Sequence, residues 1–203
     1  IYIFGGYHWT GTDTDELNTI YDFDTETKTF VTHDPALPNL SIPTRNMACS
    51  ISGSNILLFG GHDNSVGTTD LVRYYTVGAD YSLTAHDTST LDIKTERMFS
   101  ASVGNDFYVF GGTNQSTSYS FNTVNKYNVN TGDYSISKAS VTTTGDTLTE
   151  MNYASAVSVG NHIYIFGGYD SWNNKYMSDV FDFNPSDNSL TKLSAKISLI
   201  YLL

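Results

Sequence analysis

A single cysteine, Cys49, stands among 203 residues, so no intrachain disulfide can form. Lysine and arginine total 10 against 21 aspartates and glutamates, a net charge of −11. Nucleic-acid binding needs basic side chains to replace the counterions of the phosphates, so this balance disfavours it, and anionic membrane surfaces with it. There are only 4 prolines, and no Pro-rich tract, Ser/Gly-rich tract or charge run marks a linker, so 1–203 reads as one domain. The apolar tail, Lys196–Leu203, is too short to cross a membrane, and no membrane insertion is expected. No secretory leader is visible. Five histidines (His8, His33, His62, His86, His162) show no close pair at helical or strand ligand spacing, although His8 and His62 fall in related loops. No metal and no cofactor are expected. Only 15% of residues are charged while Ser, Thr, Asn and Tyr abound, which leans toward a secreted or cell-surface setting. Asn39-Leu-Ser and Asn114-Gln-Ser fit the glycosylation tripeptide.

What the chain has is a repeat. Ile1-Tyr-Ile-Phe-Gly-Gly6, Ile56-Leu-Leu-Phe-Gly-Gly61, Phe107-Tyr-Val-Phe-Gly-Gly112 and Ile163-Tyr-Ile-Phe-Gly-Gly168 place the glycine pairs 55, 51 and 56 residues apart. In three copies a glycine seven residues earlier (Gly53, Gly104, Gly160) is followed by Asn55, Asp106 or His162, and is preceded by a run of small and β-branched residues. That pattern reads as two strands joined by a tight hairpin. After the glycines come residue pairs spaced by three: Ile20 and Phe23, Leu71 and Tyr74, Val124 and Tyr127, Val180 and Phe183. Seven residues after the second member stands Phe30, Tyr81, Tyr134 or Leu190. Each unit therefore reads as four strands. The second is apolar at every position, as a strand covered on both faces must be. Gly5, Gly6, Gly60, Gly61, Gly111, Gly112, Gly167 and Gly168 are expected to be structural, ending that strand where the chain turns.

The motif set resembles the kelch-repeat β-propeller family over nearly the whole chain. The resemblance implies an all-β fold of four-stranded antiparallel blades. The units run about 1–38 (lacking its first strand), 42–85, 95–138 and 150–194. Residues 195–203 could supply a ring-closing strand. Kelch rings usually hold six or seven blades, so the resemblance also implies a partial propeller, completed by further blades or by oligomerisation. Kelch units usually carry Trp on the fourth strand; here Phe30, Tyr81, Tyr134 and Leu190 are expected to keep that burial.

Propellers place function on loops at the ends of the central channel. The loops after the glycine pairs carry Tyr7, His8, Trp9, His62, Asp63, Asn64, Asn114, Gln115, Tyr169, Asp170 and Trp172. Both tryptophans of the chain lie here, and loop Trp and Tyr commonly anchor partners at about 2 kcal/mol or more each. The loops leading into the first strands carry Arg45, Glu96, Arg97, Glu150 and Asn152. Two guanidiniums at one channel mouth could hold a carboxylate, or could be tied to neighbouring acids. Enzymes resembling this fold set a further test. A copper radical oxidase needs a Cys–Tyr cross-link, whereas Cys49 stands where other copies have Ser100 and Ala156, which reads as a small buried residue. A sialic-acid epimerase would use Glu96 or Glu150 beside Arg45 and Arg97. No nucleophile motif or phosphate-binding glycine loop is present. A non-catalytic module that binds a protein or peptide through these loops is the preferred expectation. A carbohydrate-binding module is the alternative, with the isomerase third.

Overall fold

The second strand of each unit decides the architecture. Ile56, Leu57, Leu58 and Phe59 are all buried. Successive strand side chains point to opposite faces, so one run feeds two separate cores. Ile56 and Leu58 pack with Ile20, Leu40, Tyr75 and Leu83. Leu57 and Phe59 pack with Val72, Tyr74, Phe107, Val109 and Tyr127. Only sheets stacked face to face meet both demands.

A computed structural model describes residues 1–9, 11, 14–33, 36–86, 88–114, 116 and 119–197. Its described strands form four large sheets, the blades of a propeller, and four two-stranded hairpins. Blade 1 holds Tyr2–Phe4, Ile20–Asp24 and Thr29–Val31. Blade 2 holds Ala48–Ser52, Asn55–Phe59, Leu71–Val77 and Leu83–Ala85. Blade 3 holds Phe99–Val103, Asp106–Phe110, Val124–Val129 and Ile136–Ser140. Blade 4 holds Ser155–Val159, His162–Phe166, Asp179–Asn184 and Ser189–Lys196. Thr144–Gly145 adds a parallel strand at the outer edge of blade 4. A third core, built on Phe99, Tyr108, Phe110, Ile163, Ile165, Phe181 and Phe183, joins blades 3 and 4. Ala195 and Lys196, which the sequence assigns to a ring-closing strand, instead end the fourth strand of blade 4. Ile197 follows that strand, its N–H donating to the Ser178 carbonyl at 2.9 Å, and 198–203 fall outside the described residues.

The glycine pairs sit where blades meet. Gly60 and Gly61 have φ of +55° and +106°. The Gly61 N–H donates to the Thr95 carbonyl of blade 3 at 3.0 Å. Gly6 makes the same bond to Thr44, and Gly112 to Met151, each at 2.9 Å. A Cβ on Gly60 would lie 2.1 Å from that Thr95 oxygen. The pair thus permits a close approach of two backbones that any side chain would block.

Three sequence expectations need correction. In blade 2 the partner of Phe59 is Val72, and Tyr75 opposes Ile56. The residues equivalent to Ile20 and Phe23 are therefore Val72 and Tyr75, not Leu71 and Tyr74. The hairpins to the fourth strand are also longer in the middle blades. Phe23 pairs Phe30 and Phe183 pairs Leu190, but Tyr75 pairs Ala85 and Tyr127 pairs Lys138. Tyr81 and Tyr134 consequently fall in turns at positive φ and are exposed, as is Phe30; only Leu190 of the four is buried. Tyr134 instead stacks on His86 of blade 2 at 3.9 Å, and the Tyr2 hydroxyl donates to the Tyr81 carbonyl at 2.5 Å. Third, Cys49 is exposed. It lies on the face of blade 2 that looks toward three-stranded blade 1, in an open apolar slot of about 610 Å³ with Tyr2, Phe4, Ile51 and Tyr81. Those neighbours push its thiol up to about 11 through desolvation.

Arg73 is 2% exposed on the third strand of blade 2. Among the described residues its guanidinium meets no carboxylate; it donates to Thr44 Oγ1 at 2.9 Å and Ser41 Oγ at 3.4 Å. Burial lowers its pKa, partly offset by Tyr75. Its effect is to brace the loop that delivers Arg45.

Candidate functional site

The loops that lead into blades 2, 3 and 4 are placed by the same backbone device. Arg45, Glu96 and Asn152 form isolated bridges with His62, Thr113 and Tyr169, the residues that follow the glycine pairs. The next residues, Asn46, Arg97 and Tyr153, take left-handed φ of 57°, 59° and 55°. Their backbones link the blades: Arg97 N–H donates to the Asn46 carbonyl at 2.9 Å, and Tyr153 N–H to the Arg97 carbonyl at 3.1 Å. Arg45 and Arg97 are therefore not equivalent. Glu96 occupies the Arg45 position, and Arg97 shares the position of Asn46 and Tyr153.

The two arginines still meet at one place. Tyr7, Trp9, Arg45, Asn46, Arg97 and Tyr153 line an open depression of about 400 Å³. Each guanidinium has a ring and an acid. Arg45 lies over the Tyr7 ring at 5.5 Å, and its Nε stands 3.2 Å from Glu16 Oε1. Arg97 lies over the Tyr153 ring at 5.0 Å, with its Nε 3.6 Å from Glu96 Oε2. Both carboxylates are buried, and both have further partners. Glu16 also meets His62 Nδ1 at 3.2 Å and the Asn64 backbone N–H. Glu96, 0% exposed, accepts from Asn46 Nδ2 at 2.8 Å. No hydrogen bond is found at the terminal nitrogens of Arg45 or Arg97 among the described residues. Arg97 Nε and Glu96 Oε1 are both buried without a hydrogen-bond partner among the described residues, so that pair is an ion contact only, and both arginines line the depression.

A family model described as Attractin/LZTR1 beta-propeller matches residues 1–202. The chain belongs to the Attractin/LZTR1 β-propeller family. This is a kelch-type propeller family, as the repeats imply. The chain is also 29% identical over 166 residues to "Rho GTPase-activating protein gacHH" of Dictyostelium discoideum, across 80% of this chain and 11% of that protein. It thus spans about a tenth of the length of this curated relative.

The remaining predicted residues of this Attractin/LZTR1 propeller divide sharply. Trp9 and Trp172 are 61% and 71% exposed, and neither packs into a core. Tyr7 and His8 are exposed beside Trp9 in the hairpin Tyr7–Trp9/Thr14–Glu16. Asp63, Asn114 and Asp170, in contrast, build the turns. Asp63 Oδ1 accepts the N–H groups of Ser65 and Val66 at 2.8 and 2.9 Å. Asp170 Oδ1 does the same for Trp172 and Asn173, both at 3.0 Å, and Asn114 Oδ1 for Ser116 at 2.9 Å. Burial pushes the Asp170 carboxyl up, but the bonds from Asn173 and Trp172, with Lys175 nearby, leave it below its ordinary value. His62 is nearly buried, tied to Glu16. Asn152, 1% exposed, donates to Ser120 Oγ and Ser171 Oγ at 2.9 and 2.7 Å. Tyr169 is half-buried against Tyr176. Gln115 lies outside the described residues. Glu150 lines a separate depression with Ser120, Phe121 and Trp172. Tyr153 and Asn46 were not singled out by sequence. Their place one residue after Arg45 and Asn152 was the available signal.

No group of three or more His, Cys, Asp or Glu that could hold a metal occurs among the described residues. Nor is there a helix long and apolar enough to cross a membrane among them.

Proposed function

We propose that this propeller is a protein-interaction module whose channel mouth binds an exposed segment of a partner. The observation that carries the reading is the depression itself. Aromatic side chains with solvent-facing rings, Tyr7, Trp9 and Tyr153, surround two guanidiniums already seated by buried acids. Aromatic and Arg side chains in a fixed arrangement lose little freedom on binding, which is why such residues dominate binding energies. The epimerase alternative finds less support: Glu96 is buried beneath Arg97, and Glu150 lines a different depression. Membership of the family and the likeness to part of a Rho GTPase-activating protein are compatible with an interaction role.

Selection of phage-displayed octapeptides on the immobilised domain tests this. Trp9→Ala should reduce retention of the selected peptides by tenfold or more, roughly the 1.4–2 kcal/mol of an aromatic anchor. Its melting temperature should stay close to that of the parent, because the Trp9 ring is outside every core. Unchanged retention with a large loss of stability would sink the reading. A glycan array with hits and no selected peptide would favour the carbohydrate alternative.

A further inference from the structure

The blade 1 wall of the mouth stands apart from the rest. Tyr7 and Trp9 ride on a two-stranded hairpin, and Tyr7, His8 and Trp9 are exposed and belong to none of the three cores. Backbone fixes only its base. Leu17 N–H donates to the Gly6 carbonyl at 2.9 Å, and Thr44 N–H, on the loop into blade 2, donates to the Leu17 carbonyl at 3.1 Å. A two-stranded hairpin without a packed face is marginal in water by itself, so something further must seat it. Glu16 stands directly opposite Tyr7 in the hairpin, and its side chain is 3% exposed. One carboxylate oxygen lies 3.2 Å from both Arg45 Nε and His62 Nδ1, and the other accepts the Asn64 backbone N–H. All three of these groups are supplied by the blade 2 repeat. Resting on the protein-binding reading above, we propose that Glu16 is the positioning residue of the mouth: it latches the hairpin of blade 1 to blade 2 and so sets the Trp9 wall of the depression against the Arg45 wall.

The repeat supports a latch at this position. The hairpins after the other glycine pairs have Thr68, Ser120 and Tyr176 where Glu16 stands, opposite His62, Thr113 and Tyr169. Ser120 Oγ accepts from Asn152 Nδ2 at 2.9 Å, so the same position ties blade 3 to the loop into blade 4. Asn152 is there the counterpart of Arg45. Thr68 Oγ1 is buried with no partner among the described residues, so blade 2 makes no such tie to blade 3. Among the described residues, the first junction is the one that uses a buried carboxylate. Charge-assisted hydrogen bonds are roughly twice as strong as neutral ones, and an acid taken out of water needs several of them to offset its desolvation. The hairpin so tied is also the longest, with three residue pairs against two in each of the others.

Amide hydrogen exchange and binding together decide the matter. In Glu16→Gln the amides of the Tyr7–Trp9/Thr14–Glu16 hairpin should exchange about tenfold faster, while those of Ile56–Phe59 keep their protection. Asp15→Asn removes the same charge from an exposed neighbour and should change neither. Unchanged exchange in the hairpin of Glu16→Gln overturns the proposal. An equal rise at Ile56–Phe59 marks a general loss of stability and overturns it as well. For a peptide chosen by the selection above, Glu16→Gln should weaken affinity by no more than Trp9→Ala does, and should cost nothing further in a Trp9→Ala background. A loss that persists undiminished in that background means that Glu16 acts through Arg45 and not through the hairpin, which also overturns the proposal. Should Glu16→Gln melt early, Arg45→Gln withdraws one partner from the other side; it should speed hairpin exchange by a smaller factor, because His62 and Asn64 remain. Failure to select any peptide removes the binding reading, and hairpin exchange then decides the latch by itself.

Discussion

Replacing Gly60 with alanine separates the two reasons for a glycine at a blade junction. The first is conformation: at φ +55° an L side chain costs roughly 1–2 kcal/mol. The second is space. The new Cβ would stand 2.1 Å from the Thr95 carbonyl oxygen and 2.6 Å from Met98 Cε. The methionine tip can turn aside. The carbonyl cannot do so freely, because it must retreat by about 1 Å while it accepts the Gly61 N–H at 3.0 Å. Losing that bond in a junction leaves a buried donor unpaired, at about 1–3 kcal/mol. Together these give a loss of about 2–5 kcal/mol, or roughly 4–20 °C in melting temperature for a domain of this size. Gly53 supplies the control. It has nearly the same φ, +57°, but a Cβ there meets nothing within 4 Å. Gly53→Ala should lose only the conformational part, roughly 1–2 kcal/mol. Thermal unfolding of both variants by circular dichroism measures the difference. Equal losses would refute the claim that backbone approach between blades is what excludes a side chain at Gly60.

Cys49 should react with iodoacetamide slowly at pH 7 despite its exposure, because a thiol pushed up to about 11 holds roughly a hundredfold less thiolate than an ordinary one. The rate should climb about tenfold per pH unit up to pH 10; a plateau near pH 8.5 would contradict the shift. The sign for stability follows: the folded thiol keeps its proton to higher pH, so its contribution is full below the unfolded value and fades as pH rises toward about 11. Asp170→Ala should cost about 1–2 kcal/mol by freeing the Trp172 and Asn173 N–H groups, while Asp170→Asn should cost less because its carbonyl oxygen can still accept them; parallel chemical denaturation compares the two.

The repeat was legible because a strand buried on both faces cannot hide its composition. Ile56–Phe59 and its counterparts are apolar throughout; in blades 2 and 3 all four residues are buried, whereas Ile3 of blade 1 is 44% exposed and Tyr164 and Phe166 of blade 4 are half-buried. The third and fourth strands were harder. Leu71 and Val72 are both apolar, as are Tyr74 and Tyr75, so a shift of one residue in blade 2 leaves the spacing of three intact. The middle hairpins are longer, so the spacing of seven lands Tyr81 and Tyr134 in turns and not on the fourth strand. At the mouth, Arg45 and Arg97 drew attention by type, although Glu96 and Asn152 stand fifteen residues before their glycine pairs, as Arg45 does. Side-chain identity was misleading there, and backbone register was the better guide. The roles of Asp63 and Asp170 were not legible, since an acid that shapes a turn and one that meets a ligand look alike in sequence.

Asn46, Arg97 and Tyr153 share one backbone conformation and one chain of inter-blade hydrogen bonds, yet they have nothing chemical in common. The backbone asks of this position only a tolerable left-handed turn and leaves the residue type open, although Asn46 and Arg97 both reach the buried Glu96. Blades 2, 3 and 4 each contribute one letter to the rim, and the word it spells can change at these positions without a change in the turn that presents them.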